Sequence, residues 1–251
     1  MKLIMCAAAA LVMSSCTQEP TPTPDTTTND TYALVIGVEN GYAGKCDGCL
    51  LDYKNMSAVI KPYAGKFVGM SDQQATRKNV VEAMKEGVKH ELFIMYYSGH
   101  GGSTTTYTDK TETDGKDEFM CLYDQGLLDN DIWNILKESQ GRVFLMFDCC
   151  HSATMFRTPL TFARQMRKLS ASSNISGPIN MICWSGCPDN TYSYGSSTGG
   201  QFTNTFREYF NKELTYDQLW RKIESNSSLK QYEIVQRTNM GKSFGSNKIF
   251  K

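Results

Sequence analysis

Residues 92–102 read LFIMYYSGHGG, and residues 141–152 read GRVFLMFDCCHS. Each stretch is a continuous apolar run that ends abruptly in polar groups, which is typical of a strand buried on both faces of a parallel sheet. The carboxyl ends of parallel strands meet at one edge of the sheet, and ligands gather there. We therefore expect the imidazole of His100 and the thiol of Cys150 to meet beyond that edge.

The rest of the pattern alternates between buried strands and amphipathic helices. It predicts further strands over residues 32–38 and 178–184. Apolar residues at helical spacing predict helices over residues 50–60, 80–88, 132–136, 202–210 and 216–223. Thr76 is the expected cap of the second helix, and Asp129 or Asn130 that of the third. This alternation predicts an α/β fold whose mostly parallel sheet has helices on both faces, with the aromatic stripes of the last helices in the core.

The N-terminal segment is interpreted as a targeting signal and not as part of the folded domain. Lys2 followed by the apolar run 3–13 indicates an export signal that is too short to span a bilayer. Small residues before Cys16 resemble the lipobox of bacterial lipoproteins, so residues 1–15 are predicted to be a lipoprotein signal peptide. Residues 16–30 would form a lipidated Thr/Pro-rich tether. The expected location is the bacterial cell envelope, periplasmic or at the cell surface, and the alternative is an ordinary cleaved signal.

Composition limits the remaining function classes. Residues 31–251 are sufficient for one domain with its own core, which we expect to act as a monomer. The 26 basic and 26 acidic residues balance, so no nucleic-acid partner is implied. The nine cysteines are unevenly placed, with two in the signal and two adjacent, so a disulfide framework is not expected.

His100 and Cys150 would form a nucleophile and base. A free cysteine is only a few per cent thiolate near pH 7, so an imidazole helps to activate it and later protonates the leaving amine. His90 precedes a strand and His151 is a chain neighbour of the thiol, so His100 is the preferred base. The backbone N–H groups of Gly101 and Cys150 are candidate oxyanion donors. The structural alternative makes Cys149 and Cys150 core residues and His100 a turn residue.

The two motifs resemble those of the caspase-like peptidases, especially the metacaspases. The Gln-Ala-Cys-Arg-Gly pentapeptide of true caspases is absent. The resemblance rests on YYSGHGG at 96–102, DCCHS at 148–152, GCLLD at 48–52, DGKDE at 114–118, SGCPD at 185–189 and GGQFT at 199–203. It implies a caspase-like three-layer sandwich with a sheet of about six strands. It also implies that His100 is the general acid and base and Cys150 the nucleophile, while Cys149 is not catalytic.

The resemblance also implies a pocket for the residue before the cleaved bond. Cys49, Asp52, Ser98 and Asp148 would surround it. Two carboxylates in one pocket select a cation, so the expected activity is an endopeptidase that cleaves after Arg or Lys and rejects Asp. Alternatively, Asp52 merely caps a helix and Asp148 merely ends a strand.

Two further expectations concern the pocket's surroundings. The backbone of Trp184, Ser185 and Gly186 is expected to border the substrate groove and to pair with an extended peptide. Many metacaspases need calcium, and an acid-rich segment lies where some of their ligands fall, at Asp114, Asp117, Asp124, Asp129 and Asp131. Arg157 stands at one of the family's acidic positions and would repel the ion. We therefore expect no metal, leave calcium dependence open, and interpret the segment as a solvated acidic loop.

Two other function classes stay open. Cys46, Cys49, Cys183 and Cys187 could hold a structural zinc ion or form a redox module. Alternatively, the chain could be a non-catalytic, envelope-anchored binding protein on a caspase-like fold. The presence of both dyad residues and both pocket acids favours the peptidase.

Overall fold

The computed structural model describes residues 29–105, 116–149, 172–175, 177–186, 197–232 and 235–251. The strands are β1 Thr31–Gly37, β2 Asn40–Gly41, β3 Gly44–Lys45, β4 Lys66–Ser71, β5 Leu92–Ser98, β6 Gly101–Thr105, β7 Lys116–Cys121, β8 Gly126–Leu128, β9 Arg142–Asp148, β10 Ser172–Ile175, β11 Asn180–Ser185 and β12 Gln236–Met240. The helices are α1 Cys49–Ile60, α2 Arg77–Gly87, α3 Asp129–Leu136, α4 Gln201–Tyr209, α5 Tyr216–Ser225 and α6 Ser227–Tyr232. Short 3₁₀ turns cover Lys61–Tyr63 and Asp72–Gln74.

The main sheet has seven strands in the described part of the chain, in the order β10-β12-β11-β9-β5-β1-β4. The five strands from β11 to β4 are mutually parallel, and β12 runs antiparallel to β11. This confirms the mostly parallel sheet, with the short strand β10 added at the β12 edge. The register places Ser98, the last residue of β5, opposite Asp148, the last residue of β9.

Helices cover both faces of the sheet, as the alternating pattern predicted. Helices α2 and α3 pack on one face, and α1, α4 and α5 pack on the other. Strand β1 shows why both faces are apolar: Leu34 and Ile36 enter the first layer, whereas Ala33 and Val35 enter the second. The predicted aromatic stripes of α4 and α5 are confirmed as core, because the buried residues include Phe202, Phe206, Tyr216, Leu219, Trp220 and Ile223. Tyr209 and Phe210, which belong to the first stripe, are half-buried at the edge of this cluster.

One of the two predicted helix caps is correct. The Thr76 side chain accepts a hydrogen bond from the Asn79 N–H at the start of α2, as predicted. Helix α3 instead begins after Leu128, which has no side-chain cap, so the expected capping role of Asp129 or Asn130 is wrong. Asp129 is the first residue of the helix and accepts the Asn130 N–H from within the first turn.

A small antiparallel sheet follows the histidine motif and was not predicted. Strand β6 begins at Gly101 and pairs with β7, which in turn pairs with β8. Gly102 permits this arrangement because the ring of Phe119 lies where a Cβ at that position would stand. Among the described residues, no helix has both the length and the apolar character needed to cross a membrane.

Candidate functional site

His100 lies two residues after the end of β5 and is held at both its backbone and its ring. Its carbonyl accepts hydrogen bonds from the Tyr97 hydroxyl at 2.7 Å and from the Cys121 N–H at 2.9 Å. The ring Nε2 lies 2.9 Å from the carbonyl oxygen of Lys45. A carbonyl only accepts, so Nε2 must carry the hydrogen, and Nδ1 is then the basic nitrogen of the neutral ring.

Cys150 lies outside the described residues, but the strand that leads to it is described. Ser98 and Asp148 are register partners on adjacent strands, which are about 4.8 Å apart in a sheet. His100 follows Ser98 by two residues, and Cys150 follows Asp148 by two residues. Both motifs therefore leave the same sheet edge side by side, while the contact between thiol and imidazole stays a prediction.

Asp52 projects from the first turn of α1 into a buried polar cluster. Its carboxylate is 2% exposed. The Ser98 hydroxyl donates to its Oδ2 at 2.9 Å, and the Gly200 N–H approaches both oxygens at 3.0 and 3.1 Å. Asp52 therefore does more than occupy the first turn of a helix, because donors from two other elements converge on it.

Asp148 lies beside Asp52 at the end of β9 and is also buried. The backbone N–H of Thr203 donates to its Oδ2 at 3.0 Å, and the Thr203 hydroxyl donates to the same oxygen at 2.7 Å. The Thr203 hydroxyl has used its hydrogen, so the Tyr96 hydroxyl, 2.5 Å away, donates to it. The Tyr96 hydroxyl is thus linked through the Thr203 hydroxyl to the carboxylate of Asp148.

The start of α4 supplies most of these donors, and glycines let it approach. Gly199 has a φ of 91°, and a Cβ there would collide with Oδ1 of Asp52. A Cβ at Gly200 would collide with the carboxylate of Asp148. The free N–H groups and positive end of a helix stabilise negative charge. Two buried carboxylates therefore share one helix N-terminus.

Sequence reasoning gave no role to Gly200 or Thr203, which the structure places in the pocket. Both belong to the GGQFT segment at 199–203, which carried part of the metacaspase resemblance. The resemblance of that motif to the metacaspases was the signal in the sequence that could have indicated a role for these two residues. The pairing of Gly200 with Asp52, 148 residues away, could not be derived from it.

Burial and like charge raise the pKa of Asp52 to about 7, from its usual value near 3.8. Loss of hydration is the larger cause and the negative charge of Asp148 is the second. The Gly200 N–H, the Ser98 hydroxyl and the charge of Arg207 oppose the rise without cancelling it. Asp52 thus retains its proton close to neutral pH, and a nearby cation would favour its release.

Cys49 adjoins the carboxylate pair, as expected for a residue of the pocket. It is the first residue of α1 and is buried. Its sulfur lies 2.7 Å from that of Cys46, and this contact, together with burial, raises the pKa of the Cys49 thiol. The structure therefore brings Cys49, Asp52, Ser98 and Asp148 together.

The expected substrate groove needs correction at Trp184 and Ser185. Strand β11 lies between β9 and β12, so the backbone of these residues already has a partner strand on each side. The Trp184 ring is fully buried against Phe144 and Trp220. The Gly186 N–H donates to the carbonyl of Phe147 at 2.9 Å. Trp184 and Ser185 are core residues, because an interior strand has no free edge for a peptide.

The family of this chain follows from its similarity to known proteins. The family model for the caspase domain of C14 peptidases matches residues 30–244. The chain belongs to the caspase-domain family. A crystal structure of a Geobacter sulfurreducens protein superposes with a TM-score of 0.67 at 22% identity, covering 88% of this chain and 98% of that chain. This similarity supports the caspase-like sandwich.

Relatives of this caspase-domain chain include metacaspases. Metacaspase-3 of Trypanosoma cruzi is 31% identical over 204 residues, covering 68% of this chain and 56% of the relative. Metacaspase-1 of Ajellomyces capsulatus is 25% identical over 272 residues, covering 79% of this chain and 76% of the relative. Metacaspase-3 of Trypanosoma brucei brucei is 27% identical over 277 residues, covering 92% and 75%. The chain thus spans between about half and three quarters of these relatives.

The structure describes three of the four cysteines considered for zinc or redox chemistry, and two of these three are in contact. Cys46 and Cys49 are in contact, whereas Cys183 is buried in the core on β11, where burial raises its pKa. Cys187 lies outside the described residues. Within the described ranges, no three His, Cys, Asp or Glu side chains form a group that could hold a metal ion.

The acid-rich segment is only in part the solvated loop that was expected, because Asp124 is exposed whereas two of the other acids are buried. Asp117 and Asp129 are buried, and the Asn130 side chain donates to Asp117 at 3.0 Å. Asp131 pairs with the guanidinium of Arg77 at 2.9 Å. The backbone N–H of the same arginine donates to Asp124. Protein donors thus engage these four acids. Asp114 and Arg157 lie outside the described residues.

The N-terminal predictions fall almost wholly outside the described residues. These are the signal at 1–15, lipidation at Cys16 and the tether at 16–30, together with envelope anchoring; they stay predictions, as does the monomeric state. Asn29 and Asp30 are described and contact the domain. The Asp30 carboxylate lies 2.5 Å from the His90 ring and accepts the Glu91 N–H. The folded unit therefore includes these last two tether residues.

Replacing Thr203 by Val should weaken the pocket without changing its shape. The variant removes one donor from buried Asp148 and the acceptor of the Tyr96 hydroxyl. The free energy of unfolding should therefore fall by about 1–3 kcal/mol in urea titrations. Thr203→Ser keeps the hydroxyl and is the matched control. A Val variant as stable as the wild type would contradict the hydroxyl chain.

The raised pKa of Asp52 predicts a pH-dependent stability. Between about pH 4 and 7 the unfolded chain has already lost this proton while the folded chain retains it, so rising pH favours unfolding. Asp52→Asn removes this dependence. The stability of the Asn variant relative to wild type should therefore increase from pH 4 to 7 and then level off, as measured by urea unfolding. Parallel pH curves for the two proteins would contradict the shift; exposed Glu208→Gln is the control.

Proposed function

We propose that the protein is a cysteine endopeptidase that cleaves after Arg or Lys. The buried pair of Asp52 and Asp148 carries this proposal, because two carboxylates beyond the strand ends favour a cationic side chain. Each charge-assisted hydrogen bond to a guanidinium or ammonium contributes roughly 1.5–3 kcal/mol. An aspartate side chain would meet like charge and lose its hydration without compensation.

The proton held by the pocket supports the same specificity. The pKa of Asp52, raised to about 7, means that the pair of Asp52 and Asp148 carries less than its full negative charge near neutral pH. A bound guanidinium would lower that pKa and drive the proton into solvent. Binding of a basic side chain should therefore strengthen as pH rises through 7, with both carboxylates then ionised and paired.

The proposed catalytic step uses Cys150 as nucleophile and His100 as proton carrier. Nδ1 of His100 takes the thiol proton, and the sulfur attacks the carbonyl carbon of the scissile bond. The backbone N–H groups of Gly101 and Cys150 would donate to the oxyanion. The same Nδ1 then protonates the leaving amine, and water hydrolyses the thioester that remains.

The carbonyl of Lys45 acts on His100 rather than on the substrate. By accepting the Nε2 hydrogen at 2.9 Å, it favours the tautomer whose free Nδ1 can serve as base. It also stabilises the imidazolium formed after proton transfer, since a carbonyl dipole interacts favourably with positive charge. A backbone group in this role cannot be lost by a side-chain substitution at position 45.

Removal of either dyad residue should abolish most turnover. We expect Cys150→Ala and His100→Ala each to lower kcat for a peptide amide ending in Arg by at least about a hundredfold. Intact masses measured beside the activities report self-processing, which should be absent from Cys150→Ala. The control Cys183→Ser changes a buried cysteine away from the motifs. If Cys150→Ala retained wild-type turnover, or if an irreversible peptide electrophile labelled no cysteine, the non-catalytic binding protein would be favoured.

Otherwise identical peptides ending in Arg, Lys and Asp test the pocket. Arg and Lys peptides should be cleaved and the Asp peptide should not. Asp52→Asn and Asp148→Asn should each raise KM for the Arg peptide roughly tenfold or more, because each removes a charged partner worth about 1.5–3 kcal/mol. Glu208→Gln, on the exposed side of α4, is the charge-matched control. Faster cleavage of the Asp peptide would reject the pocket assignment.

A further inference from the structure

The proposed peptidase chemistry leaves one thiol contact unused. Cys46, directly after β3, and Cys49, the first residue of α1, have their sulfur atoms 2.7 Å apart. Cys46 is partly exposed, whereas Cys49 is 3% exposed. One sulfur is thus open to reagents in solution, and its partner is enclosed beside the pocket.

The backbone between the two cysteines forms a tight turn that is compatible with a disulfide. The Cys49 N–H points to the Cys46 carbonyl at 3.4 Å. Gly48 has φ 92° and ψ −11°, which are the angles of the third residue of a type II turn. Such a turn brings its end Cα atoms within about 7 Å, and disulfides form when Cα atoms are about 4.4–6.8 Å apart. Glycine at position 48 is required by the left-handed φ.

We propose that Cys46 and Cys49 are a reversible dithiol–disulfide pair that ties the β2–β3 hairpin to the first turn of α1. The pair is local and needs no third ligand. It is distinct from a zinc module, because it needs only two sulfurs, and Cys183, another cysteine of that hypothesis, is buried in the core on β11.

The oxidation proceeds by thiol–disulfide exchange with a small-molecule disulfide such as oxidised glutathione. The Cys46 thiolate attacks one glutathione sulfur, the glutathione S–S bond breaks, and one glutathione thiolate leaves. The Cys49 thiolate then attacks the Cys46 sulfur of the mixed disulfide and releases the second glutathione. Two protein thiols lose two electrons and two protons, and one glutathione disulfide becomes two thiols.

The different surroundings of the two sulfurs fix this order. The pKa of Cys49 is raised, first because its S–H donates to Cys46 and second because the thiol is buried. A buried thiol with a raised pKa is a poor first nucleophile. Cys46, the more accessible partner, therefore reacts with the external disulfide, and Cys49 resolves the adduct.

The bond would act on both halves of the proposed active site. Lys45, next to Cys46, supplies the carbonyl that accepts the His100 Nε2 hydrogen, and it lies on a two-residue, solvent-exposed strand. Asp52 lies one helical turn beyond Cys49. A covalent link from 46 to 49 therefore fixes the segment that orients the base to the helix that carries the pocket acid. This consequence rests on the proposed function, whereas formation of the bond does not.

Peptide mapping of the full chain tests the pair without any need for activity. Cys150→Ala is equilibrated in graded ratios of reduced to oxidised glutathione, unfolded, alkylated and digested with trypsin. Cleavage after Lys45 and Lys54 isolates both cysteines on one peptide, residues 46–54. As oxidised glutathione increases, this peptide should lose both alkyl labels together and appear about 2 Da lighter than the unlabelled dithiol. Retention of both labels throughout the titration would overturn the proposal.

Two serine variants identify the entry and resolving thiols. Cys49→Ser should accumulate a stable glutathione adduct on Cys46, because no thiol is left to displace it. Cys46→Ser should leave Cys49 alkylated after unfolding, because the buried thiol is protected in the folded protein. Adduct formation on Cys49 in the second variant would overturn the proposed order. A persistent adduct on Cys46 with Cys49 present would overturn disulfide closure. Failure of peptidase activity alters none of these readouts.

Discussion

The site depends on the burial of two carboxylates side by side at the start of α4. Removing an ionised carboxylate from water costs several kcal/mol, and a second one nearby adds repulsion. The fold offsets this with donors aimed at both groups: the Gly200 N–H, the Ser98 hydroxyl, and the N–H and hydroxyl of Thr203. These donors do not neutralise the pair, as the raised pKa of Asp52 shows. The uncompensated part of the charge is what a cationic side chain would satisfy.

The parallel sheet makes this arrangement possible by register. Because Ser98 is the partner of Asp148, the two polar residues end their strands at the same level and face one pocket. The same register carries the histidine motif and the cysteine motif out of the sheet together. Helix α1 places Asp52 at this edge, and the start of α4 packs against it. Gly199 and Gly200 lie so close to the two carboxylates that a Cβ at either position would collide with them. The clustering of the buried acids thus follows from one strand alignment, and the proposed dyad would follow from the same alignment.

Much of this was predictable from the sequence, and the failures have physical causes. Unbroken apolar runs identified β5 and β9, because strands buried on both faces show no alternation. The motifs identified Asp52, Ser98 and Asp148 through resemblance. The cap of α3 was misplaced because Asp129 accepts a hydrogen bond from within the first turn, a pattern that composition does not distinguish from capping. The groove role of Trp184 failed because β12 pairs with β11 from far along the chain.

The donors that complete the pocket are the part that sequence reasoning cannot supply. Gly200 reaches Asp52 across 148 residues, Thr203 reaches Asp148 across 55, and Ser98 reaches Asp52 across 46. Each contact joins a different pair of elements, and each requires the sheet and both flanking helices to be in place. No local segment can hold two carboxylates at hydrogen-bonding distance from these donors. Because the pocket exists only when β5, β9, α1 and α4 have assembled, selectivity for a basic residue would be a property of the completed fold and not of any single motif.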